Sequence, residues 1–165
     1  MTPNEAKAAV KMLRAVWAHQ EESRRGKWRK RWMNQAELIG GWSKDPRTHV
    51  GCVFVKDNHR LMDGYNGLPR GVCDDPPVRW GPEEKYDWMC HAEASGVAKA
   101  ARHGVSLMGS TCFVTHKPCS QCMSLMLNAG VAAVIYGPGK TSMPEQKFRI
   151  TTIMCEEAGV RLEAY

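Results

Sequence analysis

Short β-rich runs alternate with helical segments from Val50 to the C-terminus, and this alternation constrains the fold more than any other feature of the sequence. The β-rich runs lie at residues 50–55, 60–65, 111–115, 131–136 and 160–163. Apolar residues recur at helical spacing over residues 91–103, 119–129 and 145–158. Such alternation predicts an α/β domain in which helices cover a sheet. The short turn at Asp57-Asn58 predicts that the first two strands are antiparallel, and the other pairings stay open.

Two helices are predicted before the first strand. In the first, residues 4–22, Ala6, Val10, Leu13 and Trp17 are among the apolar residues at helical spacing. The second covers residues 28–39 and ends at Gly40-Gly41. The basic stretch around Gly26 is predicted to be a hinge or connector between them, and a solvated helix face or turn is the alternative for the whole basic run at 24–31 (RRGKWRKR). Residues 68–86 are rich in proline, glycine and charge, which predicts a long functional loop.

Composition excludes several classes of protein. The chain has 165 residues, 43% of them hydrophobic, which suits one compact domain and is too short for two full-size ones. No apolar run approaches the roughly 18 residues that span a bilayer. Residues 1–10 carry no basic-then-apolar signal pattern. We therefore expect a cytoplasmic protein, in which the seven cysteines are reduced thiols rather than a disulfide framework.

Two short motifs each open a predicted helix. His91-Ala92-Glu93 begins one helix, and Pro118-Cys119-Ser120-Gln121-Cys122 begins another. A Cys-x-x-Cys pair at a helix start can hold one metal ion, because the helix N-terminus lowers the pKa of the thiols. With His91 as a third ligand, a zinc ion keeps its fourth position for a water, as catalytic zinc sites do. Glu93 can then move protons beside the metal without binding it.

Each motif has other interpretations when it is taken alone. A Cys-x-x-Cys pair also occurs as a redox pair or as half of a structural zinc site, for which Cys90 or His116 would supply a fourth ligand. His-x-Glu and Pro-Cys-x-x-Cys together, in this order, are the signature of zinc-dependent nucleobase deaminases. A deaminase is therefore our main hypothesis.

The chain resembles the deoxycytidylate (dCMP) deaminases well beyond these two motifs. The segments that carry the resemblance are S-K-D-P at 43–46 followed by Val50-Gly51, G-Y-N-G-L-P at 64–69, Arg79, Lys85-Tyr86, C-H-A-E at 90–93, T-H-K-P-C at 115–119, N-A-G-V at 128–131 and A-G-V at 158–160. They divide the chain into an N-terminal helical extension with a basic hinge (residues 1–27) and a zinc-dependent deaminase domain (residues 28–165).

The resemblance implies both a fold and a reaction. The fold is a three-layer, cytidine-deaminase-like α/β architecture with a central mixed five-stranded sheet flanked by helices, to which this chain adds an N-terminal helix. The reaction is hydrolysis of dCMP to dUMP and ammonia, which supplies dUMP for thymidylate synthesis. Zinc would bind His91, Cys119 and Cys122. Glu93 would pass the proton of the attacking water to N3 of the cytosine and then to the departing amino group.

The predicted substrate-binding residues are Asn66, Lys44, Ala92, Ser95 and Pro118. Asn66 suits a sugar hydroxyl, because an amide both donates and accepts hydrogen bonds, although a turn role before Gly67 stays open. Lys44 and Arg70 are candidate phosphate contacts, and solvated surface charge is the alternative for both.

The resemblance also implies regulation and assembly. Many members of the family are hexamers that dCTP activates and dTTP inhibits, so we expect a homo-oligomer and a regulatory nucleotide with Mg²⁺. The predicted regulatory residues are Gly64, Tyr65, Gly67 and Arg70. We expect no membrane partner and no nucleic-acid partner.

The sequence departs from the family pattern in two places within the predicted domain. Ser95 and Gly96 stand where an asparagine and an alanine are frequent, and this change suggests room for a 5-substituted cytosine. Residues 137–146 lack the acidic and tyrosine-containing pattern of relatives, which puts recognition of the phosphate in doubt.

Two alternatives to a mononucleotide deaminase stay open. A net charge of +6 and the Trp- and Arg-rich residues 27–32 would also suit a deaminase of tRNA or another polynucleotide. A zinc module that binds nucleic acid without catalysis is the other alternative, and such a module would have no use for Glu93.

Overall fold

The computed structural model describes residues 2–74, 77–81 and 84–165. The chain forms two compact units, Met1–Trp32 and Met33–Tyr165. The helices are α1 (Pro3–Gly40), α2 (Lys85–Trp88), α3 (Ala92–Arg102), α4 (Ser120–Asn128) and α5 (Glu145–Ala158), with a 3₁₀ turn at Pro77–Trp80. The strands are β1 (Gly51–Lys56), β2 (His59–Tyr65), β3 (Thr111–His116), β4 (Ala133–Gly139) and β5 (Arg161–Ala164). In the described part of the chain, no helix combines the length and apolarity that a membrane span needs.

Helix α1 begins with a capping box. The Thr2 N–H donates to Glu5 Oε2 at 2.7 Å and the Glu5 N–H donates to Thr2 Oγ1 at 3.3 Å, which satisfies N–H groups that the first turn leaves free. The helix then continues through Gly26 to Gly40, so the predicted hinge is wrong. One glycine costs a helix only about 1 kcal/mol relative to alanine, and the arginines and lysines around Gly26 are good helix formers.

The second unit is built on a five-stranded sheet in the order β2-β1-β3-β4-β5. Strand β1 pairs antiparallel with β2 and β3, whereas β3, β4 and β5 are parallel. Asp57 and Asn58 take positive φ angles of 51° and 58° in the turn between β1 and β2, a conformation that these two residue types tolerate. The predicted mixed five-stranded sheet with flanking helices is confirmed.

The core lies along the middle of this sheet. The first five residues of β1 are buried, and three of the cysteines, Cys52, Cys112 and Cys155, are at most 2% exposed, as expected for small core residues. Helix α3 packs directly on β2 because Gly64 has no side chain. A Cβ at Gly64 would lie 2.1 Å from the carbonyl oxygen of Ala92. This close approach fixes the first turn of α3 against the sheet.

The segment predicted as a loop, residues 68–86, contains the 3₁₀ turn and the start of α2, and residues 75, 76, 82 and 83 lie outside the described residues. Strand β4 reaches Gly139 rather than the predicted Tyr136. Its end pairs with His116 after a shift in the register with β3.

Candidate active site

The N-termini of α3 and α4 bring three metal-ligand side chains together. His91 and Cys119 are the N-cap residues of the two helices, with extended backbone, and Cys122 lies in the first turn of α4. The imidazole Nδ1 of His91 lies 3.6 Å from Cys119 Sγ and 3.3 Å from Cys122 Sγ. In the described part of the chain, these three form the metal-ligand cluster, and neither Cys90 nor His116 belongs to it.

The geometry and chemistry of this trio fit zinc. A tetrahedral zinc ion, with bonds of about 2.3 Å to sulfur and 2.0 Å to nitrogen, holds a sulfur ligand and a nitrogen ligand roughly 3.5 Å apart. All ligand atoms of the trio lie within 4.8 Å of one another. Two thiols and one imidazole are ligands that zinc prefers, and a three-residue set leaves a fourth position for water.

The two thiols share one proton. The hydrogen bond with Cys122 lowers the pKa of Cys119 to about 4, helped by His91 against the opposing effect of burial. The same hydrogen bond raises the pKa of Cys122 far above its usual range, together with burial and the nearby Glu93. One thiolate is therefore present at neutral pH, beside an imidazole whose pKa its hydrogen bond to Cys119 raises. Zinc binds thiolates and neutral imidazole, so a zinc ion would displace the protons that these three side chains hold.

Glu93 lies in the first turn of α3, two residues after His91, and is 4% exposed. Burial raises the pKa of its carboxyl, whereas a hydrogen bond with its own backbone and the positive charge of His91 oppose this shift. A carboxyl group whose pKa lies closer to neutrality can both take up and give back a proton. Its place beside the trio, outside the ligand set, suits a proton shuttle.

A cleft that is open to solvent lies in front of these residues. The cleft is lined by Asp45, Thr48, Val50, Asn66, Lys85, Tyr86, Met89, His91, Ala92, Glu93, His116, Lys117, Cys119, Thr141, Ser142 and Met143. The S-K-D-P, G-Y-N-G-L-P, K-Y, C-H-A-E and T-H-K-P-C segments therefore each contribute at least one lining residue.

Asn66 shapes the cleft through the backbone. Its Oδ1 accepts a hydrogen bond from the Val50 N–H at 2.8 Å, and its Nδ2 donates to the Thr48 carbonyl at 2.8 Å. The side chain is buried and ties the chain in front of β1 to the end of β2. Oδ1 can still accept a second hydrogen bond from a ligand.

A buried ion pair, which the sequence did not predict, supports the same wall. Lys85 Nζ lies 2.9 Å from Asp45 Oδ2, and the two side chains are 6% and 0% exposed. Asp45 Oδ1 also accepts the backbone N–H groups of Arg47 and Thr48. The carboxylate thereby orders the turn that leads into β1.

Several predicted substrate and effector residues do not line the cleft. Among the described residues, the lining set includes Asn66 and Ala92 but not Lys44, Arg70, Ser95 or Pro118. Lys44 is 69% exposed and pairs with Asp74 at 2.6 Å, which fits its alternative as surface charge. Gly96 faces the sheet, because a Cβ there would lie 2.5 Å from the Phe54 ring. Packing of α3 therefore accounts for this glycine.

The segment proposed for a regulatory nucleotide has structural contacts of its own. Gly64 allows α3 to pack closely on β2 because it has no side chain. Gly67 forms two backbone hydrogen bonds with Cys90, at 3.1 and 2.8 Å. The Tyr65 ring meets the edge of Trp42 and lies under the ammonium of Lys99.

Comparison with known proteins identifies the family. The model of the cytidine and deoxycytidylate deaminase zinc-binding region matches residues 26–138. The chain belongs to the cytidine and deoxycytidylate deaminase family. The site is accordingly that of a zinc-dependent hydrolytic deaminase, and the resemblance to deoxycytidylate deaminases is confirmed.

Three proteins that are similar to this chain are each described as a deaminase. An uncharacterized deaminase from the luxG 3′ region of Aliivibrio fischeri is 39% identical, over 82% of this chain and 92% of its own. The human deoxycytidylate deaminase is 33% identical, over 66% of this chain and 64% of the enzyme. The dCMP deaminase of cyanophage S-TIM5, in complex with dCMP and dUMP, superposes with a TM-score of 0.65 at 30% identity, over 82% of this chain and 95% of that one.

Proposed function

We propose that this protein hydrolyses dCMP to dUMP and ammonia. The observation that carries the proposal is the Glu93 carboxyl, buried beside the His91, Cys119 and Cys122 trio at a cleft that is open to solvent. The cyanophage structure, which holds dCMP and dUMP, supports this choice of substrate among deaminase substrates. A module that only binds nucleic acid would gain nothing from a buried carboxyl at this place.

Zinc bound by the trio would act as a Lewis acid and lower the pKa of a water in its fourth position. Glu93 would accept a proton from the water that adds to C4 of the cytosine. It passes that proton to N3. The water's second proton follows to the amino group, the C4–N4 bond breaks, and ammonia leaves. Because one carboxyl serves both transfers, a pKa raised by burial suits it.

Two cations that line the cleft support a substrate with a phosphate. Lys85 and Lys117 contribute to the lining, whereas Lys44 and Arg70, the predicted phosphate contacts, do not. Lys85 donates to Asp45 and Lys117 donates to Thr152 Oγ1 at 3.3 Å. An ammonium has three N–H donors, so each lysine can still bind an anion.

A substrate panel tests the proposal. Ammonia release is measured with zinc-loaded protein on dCMP, deoxycytidine, dCTP, CMP and a tRNA anticodon stem-loop. We expect turnover of dCMP and at least about tenfold lower kcat/KM for deoxycytidine, which corresponds to about 1.4 kcal/mol of phosphate binding. Equal rates on dCMP and deoxycytidine would contradict a phosphate contact, and activity confined to the stem-loop would contradict the proposal as a whole.

We also carry over the family's finer properties as proposals. These are supply of dUMP for thymidylate synthesis in the cytoplasm, a homo-oligomer, and control by dCTP or dTTP with Mg²⁺ at residues 64–70. The division into an extension, residues 1–27, and a deaminase domain, residues 28–165, is supported by the family match, which starts at residue 26. Size-exclusion chromatography with and without each nucleotide tests assembly and regulation together.

Tolerance of a 5-substituted cytosine is a separate question. We based this expectation on Ser95 and Gly96, and neither is among the described residues that line the cleft. Adding 5-methyl-dCMP to the panel, with Ser95→Asn beside the wild type, tests it directly. Equal exclusion of the methylated substrate by both proteins would contradict the expectation.

A further inference from the structure

One wall of the cleft is formed by residues 140–143, between β4 and α5, which we call the wall segment. Thr141, Ser142 and Met143 line the cleft from this side. The reaction steps above assign the segment no role. Its position next to the reaction centre makes what holds it in place relevant to substrate binding.

The His116 imidazole packs against the start of the wall segment. His116 ends β3 and pairs with Gly139, the last residue of β4. A Cβ at Gly139 would lie 2.4 Å from both Cε1 and Nδ1 of the imidazole. The ring therefore occupies the space that any side chain at position 139 would need.

Hydrogen bonds fix the orientation of the same ring. The Gly51 N–H donates to Thr115 Oγ1 at 3.2 Å, and the same hydroxyl is hydrogen-bonded to His116 Nδ1 at 2.9 Å. Burial lowers the pKa of His116, and a hydrogen bond with the Lys140 backbone partly opposes this. The ring at the end of β3 is thus linked through Thr115 to the start of β1, and through its own hydrogen bond to Lys140, the first residue of the wall segment.

The far side of the wall segment has a second anchor across the cleft. The hydroxyl groups of Tyr86 and Ser142 lie 3.3 Å apart. This contact is exposed and joins two hydroxyl groups, whereas His116 and Gly139 are both partly buried. Of the two anchors, His116 is the one that combines close packing with hydrogen bonds.

We propose that His116 is a positioning residue, which holds the wall segment in the place where it contacts the bound substrate. This inference rests on the proposed function. Without the ring, the wall segment loses its support at Gly139 and at the Lys140 backbone, so substrate binds less tightly. His116 belongs neither to the trio nor to the proposed proton shuttle, Glu93. We therefore expect the chemical step to be preserved when the ring is removed.

A double-mutant cycle tests the packing directly. His116→Ala removes the ring, and Gly139→Ala drives a methyl group into it. We expect each single variant to raise KM for dCMP about tenfold, with kcat within about threefold and zinc content unchanged. In the double variant the methyl group has room, so its KM should not exceed that of His116→Ala. The proposal would be overturned if the KM increases of the two single variants multiplied in the double variant, or if kcat or zinc content fell.

Two further measurements separate positioning from a general loss of structure. His116→Gln keeps a side chain that can hydrogen-bond to Thr115 in either direction, so its KM should lie closer to that of the wild type than the KM of His116→Ala. Amide hydrogen exchange should be faster at residues 140–143 in His116→Ala and unchanged in β1. Hydrogen exchange does not require turnover. If the wild type does not deaminate dCMP, the proposed function is wrong, but the exchange rates still test whether His116 holds the wall segment. Unchanged exchange at residues 140–143 would overturn the anchor.

Discussion

Asp45 and Lys85 show how much of this site depends on single residues outside the catalytic group. Burial on its own would raise the pKa of Asp45. The hydrogen bond and charge of Lys85, with the N–H groups of Arg47 and Thr48, outweigh burial and lower that pKa. The cost of burying the Asp45 and Lys85 charges is therefore offset by their attraction and by these hydrogen bonds. Removing either partner leaves the other charge buried without compensation, which is more costly than never having had the pair.

We predict that Asp45→Asn lowers the free energy of unfolding by about 3 kcal/mol, because Lys85 keeps a buried charge with no counter-charge. Urea denaturation measures this change. Lys44→Met is the matched control, because it removes the neighbouring Lys44–Asp74 pair, whose lysine is 69% exposed. It should leave the midpoint nearly unchanged. A loss in the control as large as that in Asp45→Asn would contradict the argument from burial.

The same ion pair predicts a pH dependence. A lowered pKa in the folded state adds stability above the ordinary value of 3.8, and this stability is lost as pH falls through the folded-state pKa. The difference in unfolding free energy between wild type and Asp45→Asn should be constant near neutrality and narrow under acidic conditions. A difference that grew on acidification would contradict a lowered pKa.

At the scale of elements, the two helices that begin at the site could be predicted because their signals are local. The motifs His-Ala-Glu and Pro-Cys-x-x-Cys each stand at a helix start, so the sequence places their side chains without knowledge of the fold. The start of α1 also had a local signal, the Thr2-x-x-Glu5 capping box. The hinge at Gly26 was wrong because a single glycine is a weak signal against a run of good helix formers.

The contacts between elements could not be predicted in this way. Asp45 and Lys85 are 40 residues apart, and their motifs contain nothing that specifies a pair. His116 was weighed only as a zinc ligand, since its contact with Gly139 depends on the parallel pairing of β3 and β4. Lys44 and Arg70 were chosen because of charge alone, and charge does not tell which side of a loop faces the cleft.

We predict that Gly64→Ala disturbs the site through packing of α3. The new Cβ would meet the Ala92 carbonyl, so α3 must move away from β2 and carry His91 and Glu93 with it. We expect a loss of about 1–3 kcal/mol in stability and weaker zinc retention. Gly67→Ala is the matched control in the same motif, because its Cβ would meet only the Tyr65 ring, at 3.9 Å. Normal zinc retention in Gly64→Ala would show that the close approach does not position the site.

At the scale of the whole molecule, the charge is distributed unevenly between the two units. Residues 1–32 contain nine lysines and arginines and three acidic residues, which account for the whole net charge of +6. Residues 33–165 contain fourteen of each. The unit that contains the catalytic residues is thus neutral overall, and its cleft carries its own cations, Lys85 and Lys117.

We predict that reversing the basic segment leaves mononucleotide turnover intact. Arg24→Glu, Arg25→Glu and Lys27→Glu together change six charge units on exposed residues of α1. If the substrate is dCMP, kcat/KM at moderate salt should stay within about twofold, because one phosphate is bound in the cleft and exposed charges are screened. A polynucleotide deaminase would instead lose affinity steeply, since many phosphate contacts act together.

The most direct test of the account is the turnover of dCMP by Glu93→Gln, with zinc content measured on the same samples as the wild type. Glutamine keeps the size of the side chain but cannot transfer the proton. We predict equal zinc content and a fall in kcat of about a hundredfold to ten-thousandfold. Turnover retained in the zinc-loaded variant would contradict the role of Glu93, and with it the proposed chemistry of the site.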